Sequence, residues 1–357
     1  MIVNTQKESD GLKVLLVGPY SAPRGGVQVH LIQLKSFLEK KGHSCFVINM
    51  GKDKSLQTGE IVSPKNSLQL AVHLFKKRDH VCHLHFGGVL HTKLLLLALF
   101  SNLMYYKRCV ITVHSGGMSV WGLPKNYMKK ILFRASFALC GAVICVNSKI
   151  AELFQQAGIA RDRIHIISPF AFENIMTKDP LPKTINSFIK KKTPLLCNIG
   201  LLEPEYDLEI LLRVFSRFVE KNPDAGLIMI GSGSLHSRLE QVISELDLRG
   251  KVYITGDLNH SDTMKVLSSS SCYVRASRYD GDCLSLKEAI HLCIPSIATD
   301  TGMRPQKAIL FPIGDEEALL KCLMKISGTS AIKKRTMQSQ ADLSSLESIE
   351  KILAQTE

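Results

Sequence analysis

The stretch that decides the fold is YVRASRYDGDCLSLKEAIHLCIPSIATDTGMRP, residues 273–305. It begins with the end of an apolar strand and continues as a polar loop at 275–282. A helix is predicted at 283–293, where apolar residues recur at helical spacing until Pro295 stops it. A short apolar strand follows at 296–298. This order of strand, loop, helix and strand is typical of a parallel α/β sheet.

The polar loop lies where parallel sheets bind ligands, beyond the carboxyl end of a strand. The amides of Leu284 and Ser285 open the helix, so a phosphate there would meet unpaired N–H groups and the positive end of the helix dipole. Asp280 and Glu288 are eight positions apart, which allows one carboxylate to contact a sugar and the other a ribose. Further candidate substrate-binding residues of this stretch are Arg275, Gly281, Asp282, Cys283 and Arg304.

These carboxylates resemble the signature of the retaining glycosyltransferases of family 4, two acidic residues separated by seven others in a helix that ends in a small residue and proline. Asp280 stands where the family usually has Glu, and Glu288 keeps the second position. The resemblance covers nearly the whole chain. It implies the GT-B fold, an α/β architecture of two Rossmann-like domains whose parallel sheets face a central cleft. It also implies that Asp280 and Glu288 are catalytic residues that bind a nucleotide-sugar donor.

The length of 357 residues and the hydrophobic content of 45% suit two domains with separate cores. A segment with prolines, charges and no sustained period separates them, at 173–194. The predicted parts are an acceptor-side domain at 1–178, a linker at 179–193, a nucleotide-sugar-binding domain at 194–340, and a terminal helix at 341–357 that crosses back to the first domain.

Two motifs of the first half follow predicted strands. Gly25 and Gly26 come after the strand 13–18, and glycine allows close approach of the backbone to a ligand, although a tight strand-to-helix turn explains the pair equally well. His114 follows the strand 110–113 and precedes two glycines. The family resemblance places the glycine pair near the donor phosphates and the acceptor, and the histidine, a predicted catalytic residue, against the donor sugar.

The usual phosphate clamp of the family is missing. Family 4 enzymes usually hold the donor pyrophosphate with an Arg just after the first strand of the second domain and a Lys a few residues later, whereas this chain has Leu201 and Glu205 there. Our hypothesis is that three arginines near the polar loop supply the positive charge instead: Arg275, Arg278 and Arg304.

A glycine motif in the second half offers a further phosphate site. Gly231 and Gly233 lie between a predicted strand and a predicted helix. A lone G-x-G is a weak signal, but in this order it could cradle a phosphate or approach a nucleotide.

No metal or other cofactor is predicted. His83 and His85 share one face of a strand, but no third ligand of suitable spacing follows, so we expect them to be hydrogen-bonded instead. Asp280 and Asp282 have the letters of an Asp-x-Asp metal pair, but they precede the signature helix. We therefore expect metal-independent catalysis in which the helix dipole and arginines stabilise the departing nucleotide.

Charge is distributed unevenly between the two halves of the chain. Residues 1–180 contain 23 Lys and Arg against 10 Asp and Glu, a net charge of +13, whereas residues 181–357 contain 22 of each. A basic half implies an anionic partner, and without a nucleic-acid-binding module a membrane surface or a lipid phosphate is favoured over nucleic acid. The segment 121–137 alternates basic and apolar residues, which indicates either a helix lying on a membrane or an ordinary helix with a solvated basic side.

The cysteine pattern and the N-terminal residues predict a cytoplasmic protein. The ten cysteines are scattered without a C-x-x-C pair, which indicates small buried hydrophobes rather than disulfides or zinc ligands. The first 13 residues contain acids and no long apolar run, so we expect no secretory signal. A peripheral position at the inner face of the cell membrane agrees with the basic first half.

The sequence thus predicts a retaining glycosyltransferase that moves a sugar, of the hexosyl type, from a nucleotide sugar to a lipid-linked glycan or a surface-polysaccharide precursor. Two alternatives remain open. A sugar-nucleotide epimerase can share the fold, and a catalytically silent membrane-docking homologue would explain the missing clamp.

Overall fold

The computed structural model describes residues 11–21, 25–88, 90–124, 126–172, 179–327 and 342–357. The chain divides into two compact units. Unit 1 comprises Met1–Ala22, His30–Ser168 and Ser344–Glu357, and unit 2 comprises Pro23–Val29 and Pro169–Leu343. Each unit is built around one parallel β-sheet, which agrees with the predicted α/β class.

The sheet of unit 1 has seven strands in the order β3-β2-β1-β4-β5-β6-β7. Its strands are β1 (Lys13–Gly18), β2 (Ser44–Asn49), β3 (Ile61–Val62), β4 (Val81–Phe86), β5 (Cys109–Val113), β6 (Ala142–Cys145) and β7 (Ile164–Ile166). The helices in this part of the chain are α1 (Gly26–Lys40), α2 (Ser67–Lys76), α3 (Thr92–Tyr105), α4 (Gly116–Trp121), α5 (Tyr127–Ala138) and α6 (Ser148–Gln156). Every residue of β4, β5 and β6 is buried, as expected for parallel strands covered on both faces.

The sheet of unit 2 has six strands in the order β10-β9-β8-β11-β12-β13. Its strands are β8 (Leu195–Ile199), β9 (Gly226–Ile230), β10 (Val252–Ile254), β11 (Cys272–Arg275), β12 (Ser296–Thr299) and β13 (Ile309–Phe311). Its helices are α7 (Lys183–Lys190), α8 (Leu208–Lys221), α9 (His236–Glu245), α10 (His260–Ser268), α11 (Leu284–His291) and α12 (Glu316–Ser327). Helix α8 buries an apolar face of Leu, Ile, Val and Phe against the core of this unit.

The last helix, α13 (Ser344–Gln355), belongs to unit 1. Leu346, Ile349 and Leu353 are buried on one face of it. Its Glu350 Oε1 lies 3.0 Å from Nε2 of His43, and Nδ1 of the same histidine accepts a hydrogen bond from the Leu12 amide. His43 therefore joins the start of the sheet to the terminal helix, a structural role.

The single helix predicted at 121–137 is wrong. The described structure has two helices there, α4 and α5, because Gly122 with φ of 69° ends α4 and the side chain of Asn126 caps α5 by accepting from the Lys129 amide. Lys125 and the side chain of Trp121 lie outside the described residues.

The predicted linker at 179–193 is not extended, because most of it forms helix α7. Ile185 is buried in this helix, and Phe188 and Ile189 pack against the core of unit 2. Residues 173–178, where the predicted first domain ends, lie outside the described residues.

Asparagine side chains cap two of the helices. Asn147 caps α6 and Asn259 caps α10; each asparagine accepts from the amide three residues on. The short strands β3 and β13 and the helices α2 and α3 were not predicted.

Helix α3 contains the run of leucines at 94–97. Leu95 and Ala98 are buried, whereas Leu96 and Leu103 are exposed. Among the described residues, no helix combines the length and apolar character needed to cross a membrane.

Candidate active site

The polar loop of unit 2 is organised by a network of two arginines and one carboxylate. Arg275, the last residue of β11, donates to both carboxylate oxygens of Asp280. Arg304, which follows β12, donates from Nη1 to Oδ2 of Asp280 at 2.5 Å. The hydroxyl of Ser277 donates to the same oxygen at 2.5 Å. The two strand ends are therefore connected through a single carboxylate.

This network ionises Asp280 despite its burial. Burial alone would raise the pKa of the Asp280 carboxyl, but the charges of Arg275 and Arg304 and the hydrogen bonds from Arg275 and Ser277 lower it to about 2. The side chains of Arg275 and Arg304 are 5% and 2% exposed. Because two buried guanidinium groups face one carboxylate, this network carries a net charge of about +1.

The network also reaches the neighbouring strand β8. Nη1 of Arg275 donates to the Ile199 carbonyl at 2.9 Å, and its guanidinium lies over the ring of Tyr206, 4.4 Å from the centroid. Gly200 leaves room for both groups, since a Cβ there would lie 2.5 Å from the Tyr206 ring and 2.6 Å from Nη1 of Arg275. A cation from β11 thus occupies the space just after β8, where the family usually has its arginine.

The third predicted clamp residue, Arg278, lies on the surface. Its Nε donates to Oδ2 of Asp207 at 3.0 Å, and its side chain is 61% exposed. Asp282 forms a separate ion pair with Lys287, with 2.5 Å between Oδ1 and Nζ. In the described structure, therefore, Arg275 and Arg304 contact Asp280, whereas Arg278 and Asp282 have other partners.

The N-terminus of α11 lies beside this network. Cys283 is the N-cap residue, with no capping hydrogen bond from its side chain, and Leu284 and Ser285 provide the first helical amides. The Ser285 hydroxyl lies 2.7 Å from the hydroxyl of Tyr273, which fixes the first turn to β11. The helix start combines its positive dipole end with the excess charge of the arginines, an arrangement suited to an anion.

Glu288 lies in the second turn of α11 and is 5% exposed. Its Oε1 lies 2.6 Å from Nε2 of His260, the first residue of α10. His260 was not predicted, because nothing in the sequence connects a histidine on one helix to a carboxylate 28 positions later.

Gly231 and Gly233 serve close packing at the end of β9. Gly231 has φ of 139°, and a Cβ there would lie 1.9 Å from the Gly200 carbonyl oxygen. A Cβ at Gly233 would lie 2.4 Å from the Leu202 carbonyl oxygen. The Ser234 amide donates to Oε1 of Glu203 at 3.0 Å, so Glu203 holds this loop. The predicted phosphate role of the two glycines remains a prediction beside this packing role.

At the end of the unit 1 sheet, four histidines lie close together. His83 and His85 lie in β4, His114 directly follows β5, and His30 lies in α1. Nδ1 of His85 is 3.2 Å from Nε2 of His114, and Nε2 of His83 is 2.8 Å from the Thr112 hydroxyl. Ser115, the next residue along the chain, caps α4.

Burial keeps three of these imidazoles neutral. It lowers the pKa of His83 to about 3 and, for His85 and His114, lowers the pKa well below the ordinary value of 6.5, with neighbouring histidines adding to the effect. The prediction that His83 is hydrogen-bonded agrees with its Thr112 contact.

The structure brings together three histidines that could bind a metal ion, although the spacing in the sequence did not indicate such a set. One ring nitrogen from each of His30, His85 and His114 lies within 4.8 Å of the others, so this trio, without His83, could hold a metal ion. The third ligand comes from α1, more than 50 positions before His85, and for this reason local spacing could not indicate it.

The glycine pair lies at the start of α1. The Gly25 carbonyl accepts from the Val29 amide, the first bond of the helix. Residues 25–29 belong to unit 2, where a Cβ at Gly26 would lie 3.6 Å from Cδ1 of Leu284. Two predicted site residues are thus neighbours, whereas Pro23 and Arg24 lie outside the described residues.

Several residues of the site gave no sequence signal. Tyr206, Ser277 and Thr299 contact the two arginines from three different segments. Only the positions of Ser277 and Thr299 beside the ends of β11 and β12 could have indicated them, because such positions face a common edge of the sheet.

Two family models match the chain. The model described as Glycosyltransferase Family 4 matches residues 24–171, and the model described as Glycosyl transferases group 1 matches residues 183–314. An uncharacterized glycosyltransferase of Methanocaldococcus jannaschii is 32% identical over 134 residues, 38% of this chain and 32% of that protein. One subunit of the phosphatidylinositol N-acetylglucosaminyltransferase of Homo sapiens is 22% identical over 319 residues, 82% of this chain. The match spans 63% of the length of the human protein.

Solved structures share the fold. HepE of Anabaena, in complex with UDP and glucose, has a TM-score of 0.70 at 15% identity, covering 96% of this chain and 98% of that one. Sucrose-phosphate synthase of Thermosynechococcus elongatus has a TM-score of 0.66 at 14% identity, covering 97% of this chain and 94% of that one. Two parallel-sheet α/β units with these neighbours define a protein of the GT-B class.

Within that class, the paired family models specify the family. The chain belongs to the family 4 glycosyltransferases, which are transferase enzymes. The predicted fold and the predicted family are both confirmed.

Proposed function

We propose that this protein is a retaining glycosyltransferase that transfers a hexosyl group from a nucleotide sugar to a lipid-linked or polysaccharide-precursor acceptor. The observation that carries the proposal is the unit of β11, polar loop and α11, in which a helix N-terminus lies beside two arginines and one aspartate. HepE, a neighbour in fold, binds UDP and glucose, which supports a nucleotide sugar as the donor.

In this proposal the diphosphate of the donor binds at the α11 N-terminus. The amides of Leu284 and Ser285 contribute hydrogen bonds, and the excess positive charge of the arginine network replaces the missing clamp. Glu288 binds the ribose, and His260 orients its carboxylate. Asp280 holds both arginines in place and presents its remaining acceptor capacity to the sugar.

The proposed reaction needs no metal ion. The leaving nucleotide diphosphate carries negative charge, and oriented dipoles and guanidinium groups stabilise such charge without a cation. In this proposal unit 1 has the acceptor role that the family resemblance implies, and His114, at the end of β5, contacts a substrate oxygen.

An anionic membrane surface is the proposed partner of unit 1. On α5, Tyr127 and Met128 are 74% and 70% exposed, next to Lys129 and Lys130, and all four lie within one turn of the helix. Apolar residues that insert at an interface beside basic residues that attract anionic lipids are typical of peripheral binding. The human relative is named for transfer to phosphatidylinositol, which supports a lipid acceptor.

A thermal-shift screen against UDP, GDP and their sugars tests the donor half of the proposal. We expect one nucleoside diphosphate and its sugar to raise the melting temperature. The nucleotide sugar that stabilises the protein is then incubated, in radiolabelled form, with the protein and a membrane extract. We expect the sugar to be incorporated into lipid with retention of its anomeric configuration. Stabilisation without transfer to any lipid or glycan would reject the transferase proposal, and a new sugar isomer formed from the donor alone would indicate an epimerase.

Sedimentation with vesicles tests the membrane half. Binding to vesicles that contain anionic lipid is expected to exceed binding to neutral vesicles and to fall in the Tyr127→Ser, Met128→Ser double variant. The matched control is Ile166→Ser, which removes an apolar residue of similar exposure, 58%, on β7. Equal binding to both kinds of vesicle would contradict this part of the proposal.

A further inference from the structure

The contact between His85 and His114 links a fully enclosed histidine to one with exposed surface. His85 is 3% exposed within β4, whereas His114 lies at the end of β5 and is half-buried. Their ring nitrogens, Nδ1 of His85 and Nε2 of His114, are 3.2 Å apart. At this distance one of the two facing nitrogens must donate while the other accepts, and a neutral imidazole has one nitrogen of each kind.

The surroundings of His85 decide which nitrogen donates. Its other nitrogen, Nε2, is buried and has no hydrogen-bond partner in the part of the chain that the structure describes. A proton there would be an orphaned buried N–H donor, and such donors are rare in folded proteins. The lower-energy tautomer of His85 therefore has its proton on Nδ1, the nitrogen that faces His114.

The ring of His85 cannot easily turn away. The ring of His83 packs against it with 4.0 Å between the centroids, and His83 is itself held by the hydroxyl of Thr112. The rings of His30 and His114 lie 5.6 Å and 5.5 Å away on other sides. His85 is thus enclosed by rings that fix its orientation toward His114.

We propose that His85 is a positioning residue whose Nδ1–H donates to Nε2 of His114 and thereby holds the proton of His114 on Nδ1. His114 then presents an N–H donor to its ligand and acts by hydrogen bonding to a substrate oxygen, not as a general base. This inference rests on the proposed function, because it assigns a substrate oxygen to His114.

Nitrogen NMR of the full chain, with ¹⁵N-labelled histidine, tests the tautomer without any activity. In the wild-type protein we expect His114 to show a protonated Nδ1 and an unprotonated Nε2. In the His85→Leu variant we expect the proton to redistribute toward Nε2. A protonated Nε2 on His114 in the wild-type protein would overturn the inference. The expected tautomer in a protein that transfers no sugar would reject the proposed function and retain the positioning role.

Three substitutions of His85 separate positioning from packing. Asn places an amide donor near the position of Nδ1, Gln places it near the position of Nε2, and Leu has no donor. We expect kcat within about twofold of wild type for His85→Asn and a loss of about tenfold for His85→Gln and His85→Leu, the effect of one hydrogen bond, with KM nearly unchanged. Equal losses in all three variants would mean that His85 acts only through packing. The control, His165→Leu in β7, is expected to change neither kcat nor the His114 tautomer.

A metal ion held by the three-histidine group would replace this hydrogen bond. Titration of the wild-type protein with Co²⁺ distinguishes the two arrangements, since four-coordinate cobalt has intense visible bands. We expect no such bands. Bands that saturate at one equivalent and disappear in His30→Ala would overturn the inference in favour of a metal site.

Discussion

At the end of the unit 2 sheet, ionised side chains of opposite charge pair with one another, whereas at the end of the unit 1 sheet burial holds histidines uncharged. Asp280 lies between Arg275 and Arg304, and the pKa of its carboxyl falls to about 2. His85 and His114 contact each other through their ring nitrogens, and the pKa of each ring falls well below 6.5. Both clusters lie at the carboxyl ends of parallel strands.

The difference concerns what each cluster can offer a ligand. The unit 2 cluster retains one positive charge, and this charge is present whether or not a ligand is bound. It suits an anion such as a diphosphate. The unit 1 cluster offers neutral donors and acceptors, which suit sugar hydroxyls. In the proposed function, the charged edge binds the anionic part of the substrate and the neutral edge binds uncharged hydroxyls.

The largest expected effect comes from removing the carboxylate of the charged cluster. Asp280→Asn leaves two buried arginines without their counter-charge, and we expect the free energy of unfolding to fall by about 3 kcal/mol or more. Urea denaturation measures this loss. The control is Asp282→Asn, which leaves a single cation, Lys287, whose side chain is 24% exposed; we expect a smaller loss of unfolding free energy because water reaches this lysine. Equal losses of unfolding free energy in both variants would show that the two buried arginines do not make Asp280 more important for stability than Asp282.

The neutral cluster is expected to respond in activity, not in stability. His114→Gln removes the ring N–H offered to substrate, and we expect kcat/KM to fall by about a hundredfold, as when one preorganised donor is lost. The melting temperature is expected to change little, because His114 is only half-buried. Steady-state kinetics with the donor found in the nucleotide screen, together with a thermal melt, check both parts. A markedly lower melting temperature with unchanged kcat/KM would contradict this prediction, because His114 would then serve stability and not activity.

The two clusters are also expected to lose stability in different pH ranges. Between pH 6.5 and about 3 the unfolded state binds protons that buried His83 does not, so unit 1 loses stability as the pH falls through that range. For Asp280, with an ordinary pKa of 3.8 and a folded value of about 2, stability is complete above about pH 4 and is lost only below it. Hydrogen exchange at about pH 7 and about pH 4.5 should show lower protection factors in β4 and β5 at the lower pH and unchanged ones in β11. Lower protection in β11 at about pH 4.5, with unchanged protection in β4 and β5, would contradict the assignment of an ionised Asp280 and neutral histidines.

The smallest effect is expected at a third strand end, where the contact is exposed. Glu203→Gln weakens the hold of Glu203 on the Ser234 amide and hydroxyl, and we expect the unfolding free energy to fall by about 1 kcal/mol or less, since water replaces the lost contact. Urea denaturation with the same protocol places this value on the scale of the other variants. A loss as large as that of Asp280→Asn would mean that burial does not set the size of these effects.

The regular elements were largely predictable from local pattern. The apolar runs of β1 and β5 and the helical period of α11 are carried by consecutive residues, and the structure has them within one or two residues of the predicted bounds. Among the elements that were missed, β3 is short and α3 lacks a clear period. The helix predicted at 121–137 failed because one glycine interrupts an otherwise continuous pattern.

The site was predictable only where its residues share a segment. The polar loop and the start of α11 come from one stretch, so the sequence indicated their position. The pairing of Asp280 with Arg304 joins residues 24 positions apart, and the contact of Glu288 with His260 joins two helices. The histidine cluster draws on α1, β4 and β5. Contacts of this kind depend on the order of strands in the sheet, which no local period specifies.

The division between the two edges is tested most directly by calorimetric titration of UDP and GDP. The titrations use three proteins, namely the wild type, Glu288→Gln and His114→Gln. One of the two nucleotides is expected to bind the wild type, to bind Glu288→Gln about tenfold more weakly because the ribose contact is lost, and to bind His114→Gln with unchanged affinity. No binding of either nucleotide to the wild type, or an equal loss of affinity in both variants, would contradict the account.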